Sequence, residues 1–80
     1  MPQDTPPQKG PQHAIELQVN GESKTCLPKT TLPDFLTQQG LNPKLVAVEY
    51  NGEILTRQLW GVTVLQSGDR LEIVTIVGGG

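Results

Sequence analysis

Eighty residues with six lysines and arginines against eight aspartates and glutamates carry a formal net charge of −2, and a chain of that length supports one domain at most. A domain so small buries only about 60% of the surface its unfolded chain exposes, which leaves room for one modest core and none for a deep catalytic cleft. There is no basic stripe, and Phe35, Tyr50 and Trp60 are the only aromatics, so the charge footprint and stacking platforms of a nucleic-acid binder are missing.

Residues 1–12 hold Pro2, Pro6, Pro7 and Pro11 and no large apolar side chain beyond Met1. Such a stretch cannot bury enough surface to offset its ordering entropy. Residues 1–13 are expected to be a disordered arm or a remnant of engineering, with the folded domain over 14–77 and a glycine tail over 78–80. The start of the chain lacks a basic region followed by an apolar core, and no apolar run is long enough to span a membrane. A lone Cys26 excludes an intrachain disulfide and fits a reducing compartment. The expectation is a cytosolic protein.

From Ala14 onward the elements follow in order. Ile15, Leu17 and Val19 alternate with Glu16 and Gln18, the period of a half-buried strand. Asn20-Gly21 predicts a tight hairpin, because both residues tolerate positive φ, and a second strand is expected over about Glu22 to Leu27, ended by Pro28. Thr31 is placed to cap a two-turn helix, with Pro33 and Asp34 in its first turn. Leu32, Phe35 and Leu36 share one face of that helix, and Gly40 supplies a left-handed stop. Leu45 to Tyr50 reads as a third strand. Asn51-Gly52 is a second hairpin signal, before a short strand near Glu53 to Thr56. After the turn Ser67-Gly68-Asp69, Arg70 to Val77 reads as the last strand. The order β-β-α-β-β-β predicts an α+β fold, a four- to five-stranded mixed sheet with one short helix packed on one face.

Few side chains suggest chemistry of their own. His13 is the single histidine; it has no cysteine or carboxylate cluster near it in sequence to make a metal site, and it is expected outside the folded core, so no Ser/His/Asp set is proposed. Cys26, at a strand end, reads as a small buried hydrophobe rather than a redox thiol. Trp60 is expected to pack as satellite core under residues 57–63, with Arg57 solvated or bonding nearby carbonyls. Lys24, Lys29, Lys44 and Arg70 are scattered, as on a solvated face. In the last strand Leu71 and Ile73 face the core, leaving Glu72, Val74 and Ile76 on the other side. Val74 and Ile76 are covered by neighbouring strands, or are ordinary surface apolars, or form a docking patch leading to the tail, and the docking reading is preferred. Taken alone, Gly78-Gly79-Gly80 is a loose tail or an engineered remnant.

Three stretches change that balance: Ile15 to Glu22, Val46 to Ile54 continuing to Arg57 and Trp60, and Val64 to Val74 ending in the glycines. Together they resemble the ubiquitin-like β-grasp proteins, and more closely the ThiS-type sulfur carriers of thiamin biosynthesis. The Asn51-Gly52-Glu53-Ile54 run with Arg57 and Trp60 is more like that family than like MoaD, the small subunit of molybdopterin synthase, which shares fold and tail. Residues 1–13 have no counterpart, and Leu55-Thr56 stands where the family often has a proline before the arginine.

The resemblance implies a carrier rather than an enzyme. Its Gly80 carboxylate would be adenylated by an E1-like, ThiF-like partner, which uses the ATP. The adenylate would be converted to a thiocarboxylate with sulfur from a donor such as a cysteine desulfurase persulfide, and the sulfur handed to a ThiG-like thiazole synthase. Gly78 and Gly79 would give slim access, Val74 and Ile76 would dock the partner, and no bound cofactor, nucleic acid or membrane is implied. The alternatives are a molybdopterin-synthase subunit, a ubiquitin-like modifier of lysines, and a plain β-grasp binding module.

Overall fold

The computed structural model describes residues 13–76. Residues 1–12 of the arm expected over 1–13, the expected strand end Val77 and the tail Gly78-Gly79-Gly80 lie outside the described residues. Within them a five-stranded mixed sheet in the order β2-β1-β5-β3-β4 packs one helix on one face, as expected.

Strands β1 (Ile15–Val19) and β2 (Glu22–Cys26) form an antiparallel hairpin. Its turn residues Asn20 and Gly21 have φ of 52° and 84°, the left-handed region that asparagine and glycine enter at least cost. Helix α1 spans Leu32–Gln38. Thr31 is its cap, its Oγ1 accepting from the Asp34 N–H, and Gly40 takes φ 81° just beyond the last turn. Leu32, Phe35 and Leu36 are fully buried, the stripe that the i, i+3, i+4 spacing predicts.

The third strand starts one residue later than expected. Asn42 Oδ1 accepts from the Lys44 N–H, and Pro43–Leu45 closes a 3-10 turn before β3 (Val46–Tyr50) begins. Strand β4 is only Glu53–Ile54, because the Leu55 carbonyl turns to accept from the Trp60 indole N–H at 2.9 Å. A 3-10 helix over Arg57–Val62 follows, and β5 runs over Arg70–Thr75. β5 is the middle strand, parallel to β1 and antiparallel to β3.

One face of the sheet supplies Leu17, Val19, Val46, Val48, Leu71 and Ile73 to the core, and α1 covers it. Trp60 departs from the satellite role expected for it. It is buried within the same core cluster as Phe35 and Leu36, and it is held there from both sides. Its N–H is satisfied by Leu55, and the Arg57 guanidinium stacks 4.5 Å from the ring centroid. Arg57 also donates to the carbonyls of Pro43 at 2.8 Å and Val46 at 2.6 Å, so a single side chain links the 3-10 helix to the start of β3. Cys26 is buried, and burial pushes its thiol up while the Thr30 hydroxyl partly offsets this. That shift disfavours the reactive thiolate.

Candidate functional site

The face of the sheet turned away from α1 is built by strand alternation. Residues opposite Leu71 and Ile73 on β5 are Arg70, Glu72 and Val74, all exposed. Register carries this face across to β3 and β4. Val74 lies opposite Ala47, Glu72 opposite Glu49, and Glu49 opposite Ile54. The result is a shallow apolar groove lined by Ala47, Ile54 and Val74, with Glu49 and Glu72 at one end. A second groove adjoins it, sharing Ala47, Val48 and Ile54 and lined further by Arg57, Trp60 and Ile76. Val74 is 60% exposed, Ile76 49% and Ile54 76%, so the two residues singled out in the sequence do stand free of the neighbouring strands.

Glu49 and Glu72 form a directly opposed like-charge pair. Such pairs destabilise an antiparallel ladder by a few tenths of a kcal/mol up to about 1 kcal/mol, and neither glutamate makes a salt bridge with a cation among the described residues. Sequence reading found Val74 and Ile76 by alternation but missed Ala47, Ile54 and the glutamate pair. Their signal is cross-strand register, which one strand's periodicity does not contain.

β5 is fixed at its start by a buried carboxylate. Asp69, read from sequence as a turn residue only, is buried. It accepts from the Tyr50 hydroxyl, from the Asn51 side-chain amide at 3.2 Å and from the Gln66 N–H at 2.8 Å. Burial first, then the hydrogen bond and charge of Asp69, push the Tyr50 phenol up to about 12. The folded value lies above the unfolded one of about 10. This contribution to stability is therefore complete below about pH 10 and is lost as pH rises through about 12. Denaturant titrations at stepped pH are expected to show stability falling across that window in the natural chain and a shallower fall in Tyr50→Phe; parallel curves would remove Tyr50 as the cause.

Of the other residues considered in the sequence, His13 is exposed and Cys26 buried. No group of three or more histidine, cysteine or acidic side chains able to hold a metal occurs among the described residues. No helix there is long and apolar enough to cross a membrane. β5 ends at Thr75, and just beyond it Ile76 donates its N–H to the Leu45 carbonyl at 2.6 Å. Gly78, Gly79 and Gly80 follow it in sequence and lie outside the described residues.

Comparison with known proteins places this arrangement. The profile of the ThiS family matches residues 17–80. The crystal structure of the thiamine biosynthesis protein ThiS from Geobacter metallireducens superposes with a TM-score of 0.71 at 30% identity, covering 82% of this chain and 100% of that one. The sulfur carrier protein ThiS of Bacillus subtilis is 38% identical over 80% of this chain and 98% of its own length. The thiazole synthase of Magnetococcus marinus is 38% identical over 82% of this chain, which spans only 20% of that longer protein. The chain belongs to the ThiS family, the sulfur carriers of thiamin biosynthesis.

Proposed function

We propose that this chain carries sulfur as a thiocarboxylate on Gly80, acting as a macromolecular co-substrate rather than a catalyst. The observation that carries the reading is the family match, which spans β5 and extends to Gly80. An α-carboxyl has a pKa of about 3.3–3.7, so near neutrality it is an anion and a poor electrophile. Attack of its oxygen on the α-phosphorus of ATP, held by an E1-like activating enzyme, releases pyrophosphate and makes AMP a leaving group. The terminal sulfur of a cysteine persulfide then attacks the carbonyl carbon and expels AMP. A thiol cleaves the remaining S–S bond and leaves the thiocarboxylate, whose sulfur is the nucleophile for thiazole synthase. The similarity of a segment of the M. marinus thiazole synthase to this chain supports that enzyme class as the acceptor. ATP belongs to the activating partner.

Glycine suits the approach. Without a Cβ the backbone enters a narrow channel and adopts any φ, and three residues reach about 10 Å when extended. The sheet face is the docking surface in this reading. Val74 and Ile76 supply its apolar anchors beside Ile54, and Glu49 with Glu72 ask for a basic side chain from the partner. Such a pairing gives an association that weakens with added salt.

Two tests separate the parts. Pyrophosphate release with a cognate activating enzyme is expected from the natural chain and not from one extended beyond Gly80; equal release from both would remove the tail from the chemistry. Val74→Asp is expected to weaken binding to that enzyme about tenfold or more, with unfolding unchanged because the side chain is exposed. A variant that binds normally, or that fails to fold, would return Val74 to an ordinary structural residue.

A further inference from the structure

β1 ends at Val19 and the chain turns away at Asn20-Gly21, while its parallel neighbour β5 runs on to Thr75. The last backbone bond between the two strands is from the Asn20 N–H to the Leu71 carbonyl, 2.8 Å. Along a strand the backbone groups of alternate residues point to opposite neighbours. Asp69, just before β5, and Leu71 within it turn their carbonyls to β1 and its turn, whereas Arg70 turns its carbonyl to Asn51, just after β3. Ile73, two residues after Leu71, therefore aims its N–H and C=O at a place where no strand remains.

Asn20 fills that place with its side chain. Its Oδ1 accepts from the Ile73 N–H at 2.7 Å and its Nδ2 donates to the Ile73 carbonyl at 3.1 Å. The carboxamide stands in for a peptide unit and carries the parallel ladder one step past the turn. Ile73 is buried, and its polar backbone groups would be costly to leave unpaired. The next residue, Val74, belongs to the exposed sheet face, and the described chain ends three residues after Ile73.

We propose that Asn20 is a positioning residue for the tail: by holding both backbone groups of Ile73 it sets the direction in which β5 delivers the C-terminal segment to a partner. This rests on the reading of Gly80 as the reacting end. Asparagine serves both tasks at this position. It accepts the φ of 52° that the hairpin demands, and its amide has the donor and the acceptor that a peptide unit has. Asn51 offers an internal contrast. It has the same φ of 52° and also grips β5, but at the opposite end, accepting from the Arg70 N–H at 2.8 Å.

The test uses the full chain with Asn20→Gly, which keeps the positive φ without strain and removes both side-chain bonds. Asn20→Asp keeps the acceptor alone, and Asn51→Gly is the comparison. Without any partner, the Ile73 amide is expected to exchange with solvent about tenfold faster or more in N20G, with N20D between N20G and the natural chain. With a cognate activating enzyme, at a temperature where every variant is folded, N20G is expected to lower kcat about three- to tenfold while KM stays within about twofold. N51G is expected to unfold more easily yet keep kcat within about twofold of the natural chain. Unchanged exchange at Ile73 in N20G would overturn the clamp, and a kcat as insensitive in N20G as in N51G would overturn its role in aiming the tail. A natural chain that is never activated would overturn the carrier reading and the link to the tail with it, while exchange at Ile73 decides the clamp separately.

Discussion

Replacing Gly79 by valine is expected to cut loading of the chain by about a hundredfold or more, the scale of loss that misplacing a reacting group by an ångström can produce. The carboxylate must reach the α-phosphorus of ATP inside an activating enzyme, and a β-branched side chain next to it both widens the segment and restricts its backbone. The position follows β5 in sequence, and glycine has no side chain for a core to hold or lose. Thermal unfolding should therefore coincide with that of the natural chain. Steady-state pyrophosphate release reads the first effect and a melting curve the second. A Gly79→Val chain activated at the normal rate would show that the approach to the reacting carboxylate is wide, and the argument for glycine at that position would fall.

The opposite pattern is expected at Phe35. Its ring is 0% exposed at the centre of the helix–sheet interface, where it meets the apolar face that β1, β3 and β5 build together. Truncating such a ring costs about 3–5 kcal/mol through lost transfer free energy and an unfilled cavity. Whole domains are stable by only about 5–15 kcal/mol, and one of this size stands near the bottom of that range. Phe35→Ala should therefore lower the urea midpoint sharply and leave a substantial unfolded fraction in water. A loss below about 1 kcal/mol would mean that the core closes over the gap, and that α1 contributes less to holding the sheet than its burial implies.

What was legible in the sequence was what short-range physics decides. Asn20-Gly21 and Asn51-Gly52 announce their turns because few other residues take positive φ cheaply, and all four do so. The Thr31 cap, the Leu32-Phe35-Leu36 stripe and the Gly40 stop depend only on neighbours within one or two helical turns. The boundaries that moved did so through contacts from farther away. Trp60 captures the Leu55 carbonyl and cuts β4 to two residues, and Arg57 reaches back to Pro43 and Val46. Leu65 is almost wholly buried although nothing in its local pattern marks it. Its N–H bonds to the Thr30 carbonyl, which ties the loop to the start of the helix.

The site divides along the same line. The exposure of Val74 and Ile76 was legible because a strand alternates, whereas Gly80 was put forward only because a family pattern leads to it. Asp69 looked like one more turn residue. Its role comes from Tyr50 and Asn51, which approach it only once β3 lies against β5. The opposition of Glu49 and Glu72 likewise exists only after register is set. The side chains of Asn20 and Asn51 were visible as turn formers, whereas their second task as clamps on β5 needed the sheet order.

In the proposed function Gly80 is the residue that carries sulfur. Intact and fragment mass spectrometry test it most directly, after the full chain has been incubated with ATP, a cognate activating enzyme and a persulfide donor. The expected result is a mass gain equal to the exchange of one oxygen for one sulfur, located on Gly80 and absent when ATP is withheld. No gain with an activating enzyme proven competent on its own carrier, or a gain located on Cys26, would contradict it.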